Sequence, residues 1–175
     1  MAIFAKAMSN GFPMSAIIGK RVVMQAAQDT FISSTYWTDR IGPTAALATL
    51  KKMKRVRLHE KLEKISVKVR DIWQKASKKH SVPIETAEVP VILTLGFVGT
   101  DAKEAKTLFT QALLERGILS GSVFYASIAH TDKHLRIYAV AVDDAFATIA
   151  HARKNGGVKK FLKGPVAHSH FARLN

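Results

Sequence analysis

Between Pro43 and Lys78 the chain holds no glycine or further proline, and Leu58, Leu62, Ile65, Val69 and Ile72 recur there at steps of three and four, with Trp73 adjoining. That period matches the turn of an α-helix and gathers apolar side chains on one face. Pro43 suits a first helical turn, where its missing N–H is no loss, and Ser81-Val82-Pro83 breaks the run. The spacing therefore predicts one long helix over residues 43–80, with an apolar face that other elements must cover.

What flanks this helix differs on its two sides. Before it, residues 2–4 and 16–19 read as short strands around a turn, residues 21–28 as a short helix and residues 31–42 as an irregular segment. After it, residues 91–98 alternate Val91, Leu93, Leu95 and Phe97 with Ile92, Thr94, Gly96 and Val98, a strand expected to be buried on both faces. Thr100 or Asp101 caps a further helix, with Glu104 in its first turn and Leu108, Phe109, Ala112 and Leu113 as its core stripe. Gly117 stops it. Residues 123–128 read as a weaker strand. Thr131-Asp132 opens a last helix, with Leu135, Tyr138, Val142, Phe146 and Ile149 on one face, ending before Asn155-Gly156-Gly157. The tail from Val158 is basic and closes with Ala167-His168-Ser169-His170-Phe171. Helix, strand, helix, strand, helix after a long connector describes a small α/β lobe beside a larger sheet domain.

Composition narrows the function classes. With 175 residues and 47% hydrophobic content, the chain can bury a real core. It has no apolar run long enough to span a bilayer and no charged-then-apolar leader. Zero cysteines remove disulfides, thiolate catalysis and cysteine-ligated zinc, and the expected compartment is the cytoplasm. The net charge of +14 invites a nucleic-acid reading, with its densest cluster at Lys51-Lys52-Met53-Lys54-Arg55-Val56-Arg57. The helical period places most of that charge on a wet face, with Glu60, Glu63 and Asp71 at helix-spaced positions, so nucleic acid is the weaker reading. The histidines at 59, 80, 130, 134 and 151 are scattered, and His168 and His170 would align only on a strand. A structural or solvent role suits them better than a metal site. Ser33-Ser34-Thr35 lacks a spaced His and Asp for a hydrolase triad, and Gly11, Gly19 and Gly42 form no dinucleotide fingerprint.

The remaining chemistry centres on Lys6, in Ile3-Phe4-Ala5-Lys6-Ala7-Met8-Ser9-Asn10-Gly11-Phe12-Pro13. A short apolar run brings this lysine to the mouth of a turn. Its amine is a nucleophile only when deprotonated, which takes burial or a neighbouring cation. Ile3, Phe4 and Met8 are the neighbours that could supply burial. On spacing alone, a lysine beside a turn is most often a solvated one.

Three blocks in order resemble class III aminotransferases. Ala5-Lys6-Ala7-Met8-Ser9-Asn10-Gly11-Phe12-Pro13 is similar to the lysine segment of that family. Thr30-Phe31-Ile32-Ser33-Ser34-Thr35-Tyr36-Trp37-Thr38-Asp39-Arg40-Ile41-Gly42-Pro43-Thr44-Ala45-Ala46-Leu47-Ala48 is similar to the segment that follows it. Gly164-Pro165-Val166-Ala167-His168-Ser169 resembles the C-terminus of the glutamate-1-semialdehyde aminomutase-like branch. The resemblance implies an α/β fold-type I enzyme of pyridoxal 5'-phosphate: residues 1–42 as the end of the large domain, 43–80 as the connecting helix, and 81–175 as the small C-terminal α/β domain. It implies that Lys6 forms the internal Schiff base and then carries the substrate proton. Ser9 and Asn10 shape the turn. Thr38, five residues before Pro43, is the expected phosphate contact across a subunit interface, with Thr35 as its rival because Asp39-Arg40-Ile41-Gly42 departs from the commoner filler.

A homodimer follows from that interface, acting on a small amine or amino acid and a carbonyl compound. The family's substrate-carboxylate arginine has Arg136 as its nearest counterpart, but the role is not carried over, since Arg136 falls in an expected helix. The family's large domain begins well upstream of its lysine. The resemblance thus covers the C-terminal part alone, and the expectation is a partial chain that needs a missing N-terminal half for turnover. The alternative is a non-catalytic basic chain that binds nucleic acid or a partner subunit.

Overall fold

The structure, a computed structural model, describes residues 1–33 and 35–168, without the side chain of Glu88. Ser34 of the Ser33-Ser34-Thr35 cluster and Ser169, His170 and Phe171 of the tail lie outside the described residues. The chain forms two compact units, Met1–His59 and Glu60–Asn175.

In the first unit, β1 (Ala2–Phe4) pairs antiparallel with β2 (Ala16–Ile18), with Ile3 opposite Ile17. A 3₁₀ turn over Lys6–Met8 opens the loop between them. Next come α1 (Arg21–Met24), a 3₁₀ turn over Gln25–Asp29 and an irregular stretch, then α2 (Ile41–Arg55). The buried positions here are small: Ser9, Gly42 and Ala46. Large apolar side chains stay in solvent, Phe31 at 95% exposure and Trp37 at 67%. A two-stranded hairpin, the single turn of α1 and one longer helix leave these side chains with little to pack against.

The single helix expected over residues 43–80 is in fact two, α2 and α3 (Leu58–His80). The Val56 amide still bonds back to the Lys52 carbonyl, but Arg57 turns left-handed at φ +51 and ends the helix. Glycine usually takes such a position, so an arginine there carries no sequence signal.

The second unit packs α3, α4 (Ala102–Leu114) and α5 (Asp132–Lys154) with an antiparallel sheet in the order β3 (Ile84–Val89), β4 (Ile92–Phe97), β5 (Val123–Tyr125). Leu93, Leu95 and Phe97 are buried, while Ile92 and Gly96 on the same strand are exposed. The expectation of a strand buried on both faces is therefore corrected: one face meets the core and the other is open, as antiparallel sheets allow. β3 was not foreseen, although its Ile84, Thr86 and Glu85, Ala87 alternate; flanking Pro83 and Pro90 disguise it as a loop.

The core gathers the rings of Phe97, Phe109 and Phe146, with centroids 5.5–6.0 Å apart and tilted or edge-on to one another. Trp73 is fully buried and its indole N–H donates to the Tyr138 hydroxyl at 2.9 Å. Lys68 bonds Asp132 and Lys79 bonds Asp143, each at 2.6 Å and each spanning 64 residues, so α3 and α5 run side by side in the same direction. α5 begins at a Thr131 cap, as its sequence indicated, with the His134 amide donating to the threonine hydroxyl. No helix among the described residues is long and apolar enough to cross a membrane.

Candidate active site

Lys6 leaves β1 through an extended Ala5 and adopts φ +54, in the left-handed region. The Met8 amide closes the turn on the Ala5 carbonyl at 3.3 Å. Asn10 and Gly11 are left-handed too, at φ +50 and +106. A non-glycine residue in that region carries a steric penalty that its surroundings must hold. Beneath this turn Ser9 is fully buried, and its hydroxyl donates to the Phe12 carbonyl across the bend. The Phe12 amide in turn donates to the Ser9 carbonyl at 3.4 Å.

The side chain of Lys6 is exposed and makes no hydrogen bond or ion pair among the described residues. Ile3 and Phe4, expected to shelter the amine, are themselves 66% and 49% exposed, so within this chain they do not bury it.

Thr35 and Thr38 stand in an exposed turn closed by the Asp39 amide on the Tyr36 carbonyl at 3.1 Å. Asp39 then accepts from the Ile41 amide at 2.9 Å, which satisfies an open donor at the start of α2. Neither threonine hydroxyl has a partner among the described residues. Gly42, in the first turn of α2, is buried against the lysine loop. A Cβ there would lie 2.6 Å from the Pro13 carbonyl oxygen and 3.2 Å from Met14 Cβ. The loop that carries Lys6 is thus seated directly on the helix that follows Thr38. No local pattern signals this contact beyond a glycine before Pro43, and Ser9 reads in the sequence only as a turn residue.

Elsewhere, three histidines serve the fold. His80 pairs with Asp143 at 2.9 Å. His130 lies against the Phe124 ring, its Nδ1 accepts from the Ser127 amide, and burial followed by the nearby His134 pushes it below the ordinary imidazole range. His134 closes the α5 cap. Arg136 is exposed on α5 near Asp132. No group of three His, Asp or Glu among the described residues could hold a metal ion.

The family model for class-III aminotransferases matches residues 1–152, so this chain belongs to the class-III aminotransferase family. It is similar to the 3-aminobutyryl-CoA aminotransferase of Cloacimonas acidaminovorans, 26% identical over 85% of this chain and 37% of that protein. The 2'-deamino-2'-hydroxyneamine transaminase of Streptomyces kanamyceticus is 28% identical over 80% of this chain and 37% of its own length. The glutamate-1-semialdehyde 2,1-aminomutase of Desulfosudis oleivorans is 29% identical over 82% of this chain and 38% of that enzyme.

Among solved structures, the FumI protein of Sphingopyxis sp. MTA144 superposes with a TM-score of 0.78 at 22% identity, covering 87% of this chain and 37% of FumI. An omega-transaminase from Sphaerobacter thermophilus gives 0.72 at 15% identity, covering 85% of this chain and 38% of its own. These likenesses establish the fold as part of an α/β fold-type I enzyme. The chain spans less than two-fifths of the length of these relatives, 37–38%.

Proposed function

We propose that this chain is the lysine-bearing, C-terminal part of a pyridoxal phosphate-dependent amino-transfer enzyme, with Lys6 as the amine that tethers the cofactor. The observation that carries this reading is the state of Lys6: a primary amine with no partner among the described residues, set on a left-handed turn at the end of a strand, in the family-matched segment. The donor set suits the cofactor, since one free amine meets an aldehyde and the unpartnered hydroxyl of Thr38, or of its rival Thr35, meets a phosphate.

When bound, pyridoxal phosphate supplies an aldehyde carbon for the lysine and a ring that draws electron density from the substrate. Lys6 would hold it by that bond and, with its amine free, would carry the proton that leaves the substrate α-carbon. Thr38, or its rival Thr35, would donate to the phosphate in the site of a second copy, so the working form would be a homodimer. The remaining contacts, to the pyridine nitrogen and the rest of the phosphate, come from the part of the relatives that this chain does not span. The substrates are a small amine or amino acid and a carbonyl acceptor, and the enzyme works in the cytoplasm.

Borohydride reduction of the chain with pyridoxal phosphate, followed by peptide mass mapping, tests this. The expected result is a saturable pyridoxyl group on Lys6 that is absent from Lys6→Ala. Label spread evenly over surface lysines, and unchanged in that variant, overturns the reading.

A further inference from the structure

We infer that Gly42 and Ser9 are positioning residues for Lys6: together they seat the strained lysine turn on the first turn of α2. The inference rests on the reading of Lys6 as the cofactor amine, but its geometry stands apart from it. Gly42 does not have a positive φ, so no backbone conformation demands a glycine there. Space does. A Cβ would meet the backbone carbonyl of Pro13 at 2.6 Å, closer than real Cβ atoms come, and backbone cannot swing aside as a flexible side chain can.

One of the two partners must therefore yield, and α2 is the better anchored. Its Ile41 amide is held by Asp39 and its Thr44 amide by the Arg40 carbonyl at 3.0 Å. The loop lacks the helical ladder of α2: beyond the β1–β2 pairing at its ends, a few local bonds hold it. Its inner bonds are the Ser9 hydroxyl on the Phe12 carbonyl, the reciprocal Phe12 amide on Ser9, and the Met8 amide on Ala5. Ser9 fixes the bend from inside, fully buried, and Gly42 provides the bed on which the following Pro13 lies. Asn10 and Gly11 sit in the left-handed region between these two fastenings, and Lys6, left-handed too, precedes them in a turn that itself lies against α2. Strain of that kind persists only while its surroundings over-determine it. Filling the bed at residue 42, or removing the hydroxyl at residue 9, lets Lys6 relax toward an ordinary backbone conformation and turns its amine elsewhere.

Limited trypsin digestion reads this without cofactor. In Gly42→Ala and in Ser9→Ala, cleavage of the Lys6–Ala7 bond should quicken by about tenfold, the order expected when one strained residue loses its local restraint. Cleavage after Lys20 should keep its rate, as should both bonds in Leu47→Ala, a control at an exposed position of α2. The second readout is the pH midpoint of the visible absorbance in the pyridoxal phosphate-loaded chain. It should shift in Gly42→Ala and Ser9→Ala and stay put in Leu47→Ala.

Equal cleavage after Lys6 in all variants overturns the inference. So does a rise after Lys20 as large as that after Lys6, since it would mean general loosening of the first unit. If cleavage responds as expected while the wild-type chain takes no pyridoxyl group at Lys6, the seating is right and the cofactor reading is wrong.

Discussion

Ser81 sits at φ +54 just past the end of α3, and the amide of Val82 donates to the Ser77 carbonyl at 3.1 Å. The same closure ends the other two long helices of the second unit: Ile118 bonds Leu113 beyond Gly117, and Gly157 bonds Ala152 beyond Gly156, each at 3.0 Å. Glycine occupies the left-handed position in those two, as such helix ends favour. Ser81 does so with a Cβ. Its replacement, Ser81→Gly, should therefore raise the stability of the second unit by about 1 kcal/mol, the steric penalty less glycine's extra freedom in the unfolded chain. Urea unfolding followed by Trp73 fluorescence would report a higher midpoint at unchanged slope; a lower midpoint would show that the strain at Ser81 is relieved some other way. Gly117 and the Asn155-Gly156-Gly157 break were legible as stops because glycine announces itself. Ser81 and Arg57 adopt the same conformation without announcing it.

Among the elements, α3 and α5 are joined by apolar packing and fastened at their edges by Lys68–Asp132, Lys79–Asp143 and His80–Asp143. Hydrogen bonds from Lys79 and His80 hold the Asp143 carboxyl below its ordinary range. A carboxyl depressed in the folded state adds stability that is present above its unfolded pKa, about 3.9, and is lost as pH falls through the folded value. Asp143→Asn should accordingly flatten the acid limb of the stability curve below that point, measured by urea titration at stepped pH. The effect is small, because the pair is partly exposed and screened by salt; an unchanged limb would mean the bridge is idle. The apolar faces that meet here, Val69 and Trp73 on one helix and Leu135, Tyr138, Val142 and Phe146 on the other, were readable from three- and four-residue spacing. Their partners were not. Period fixes which side of a helix is dry but says nothing about which residue across the core accepts the Trp73 N–H. The short β3 escaped because six residues between prolines give too few alternations to outweigh turn chemistry. For the candidate site, the lysine segment was legible as a motif, whereas the Gly42 seat depends on a contact between positions 13 and 42 that no local pattern encodes.

At the scale of the whole molecule, the two units differ in how they are held together. The second has a continuous core of Trp73, Phe97, Phe109, Phe146 and their neighbours. The first keeps Ser9, Gly42 and Ala46 inside and most of its large apolar side chains outside. Unfolding enthalpy scales with ordered, buried residues, at about 0.7 kcal/mol per residue near 60 °C. In a calorimeter the chain should therefore give one sharp heat-absorption peak with the enthalpy of a domain the size of Glu60–Asn175, well short of what 175 residues would supply. A single peak with the enthalpy of the full length would mean that the first unit melts cooperatively with the second. On this account the lysine turn relies on the few fastenings of its own unit: a preparation could lose that turn at a temperature where most of its helices still register as folded.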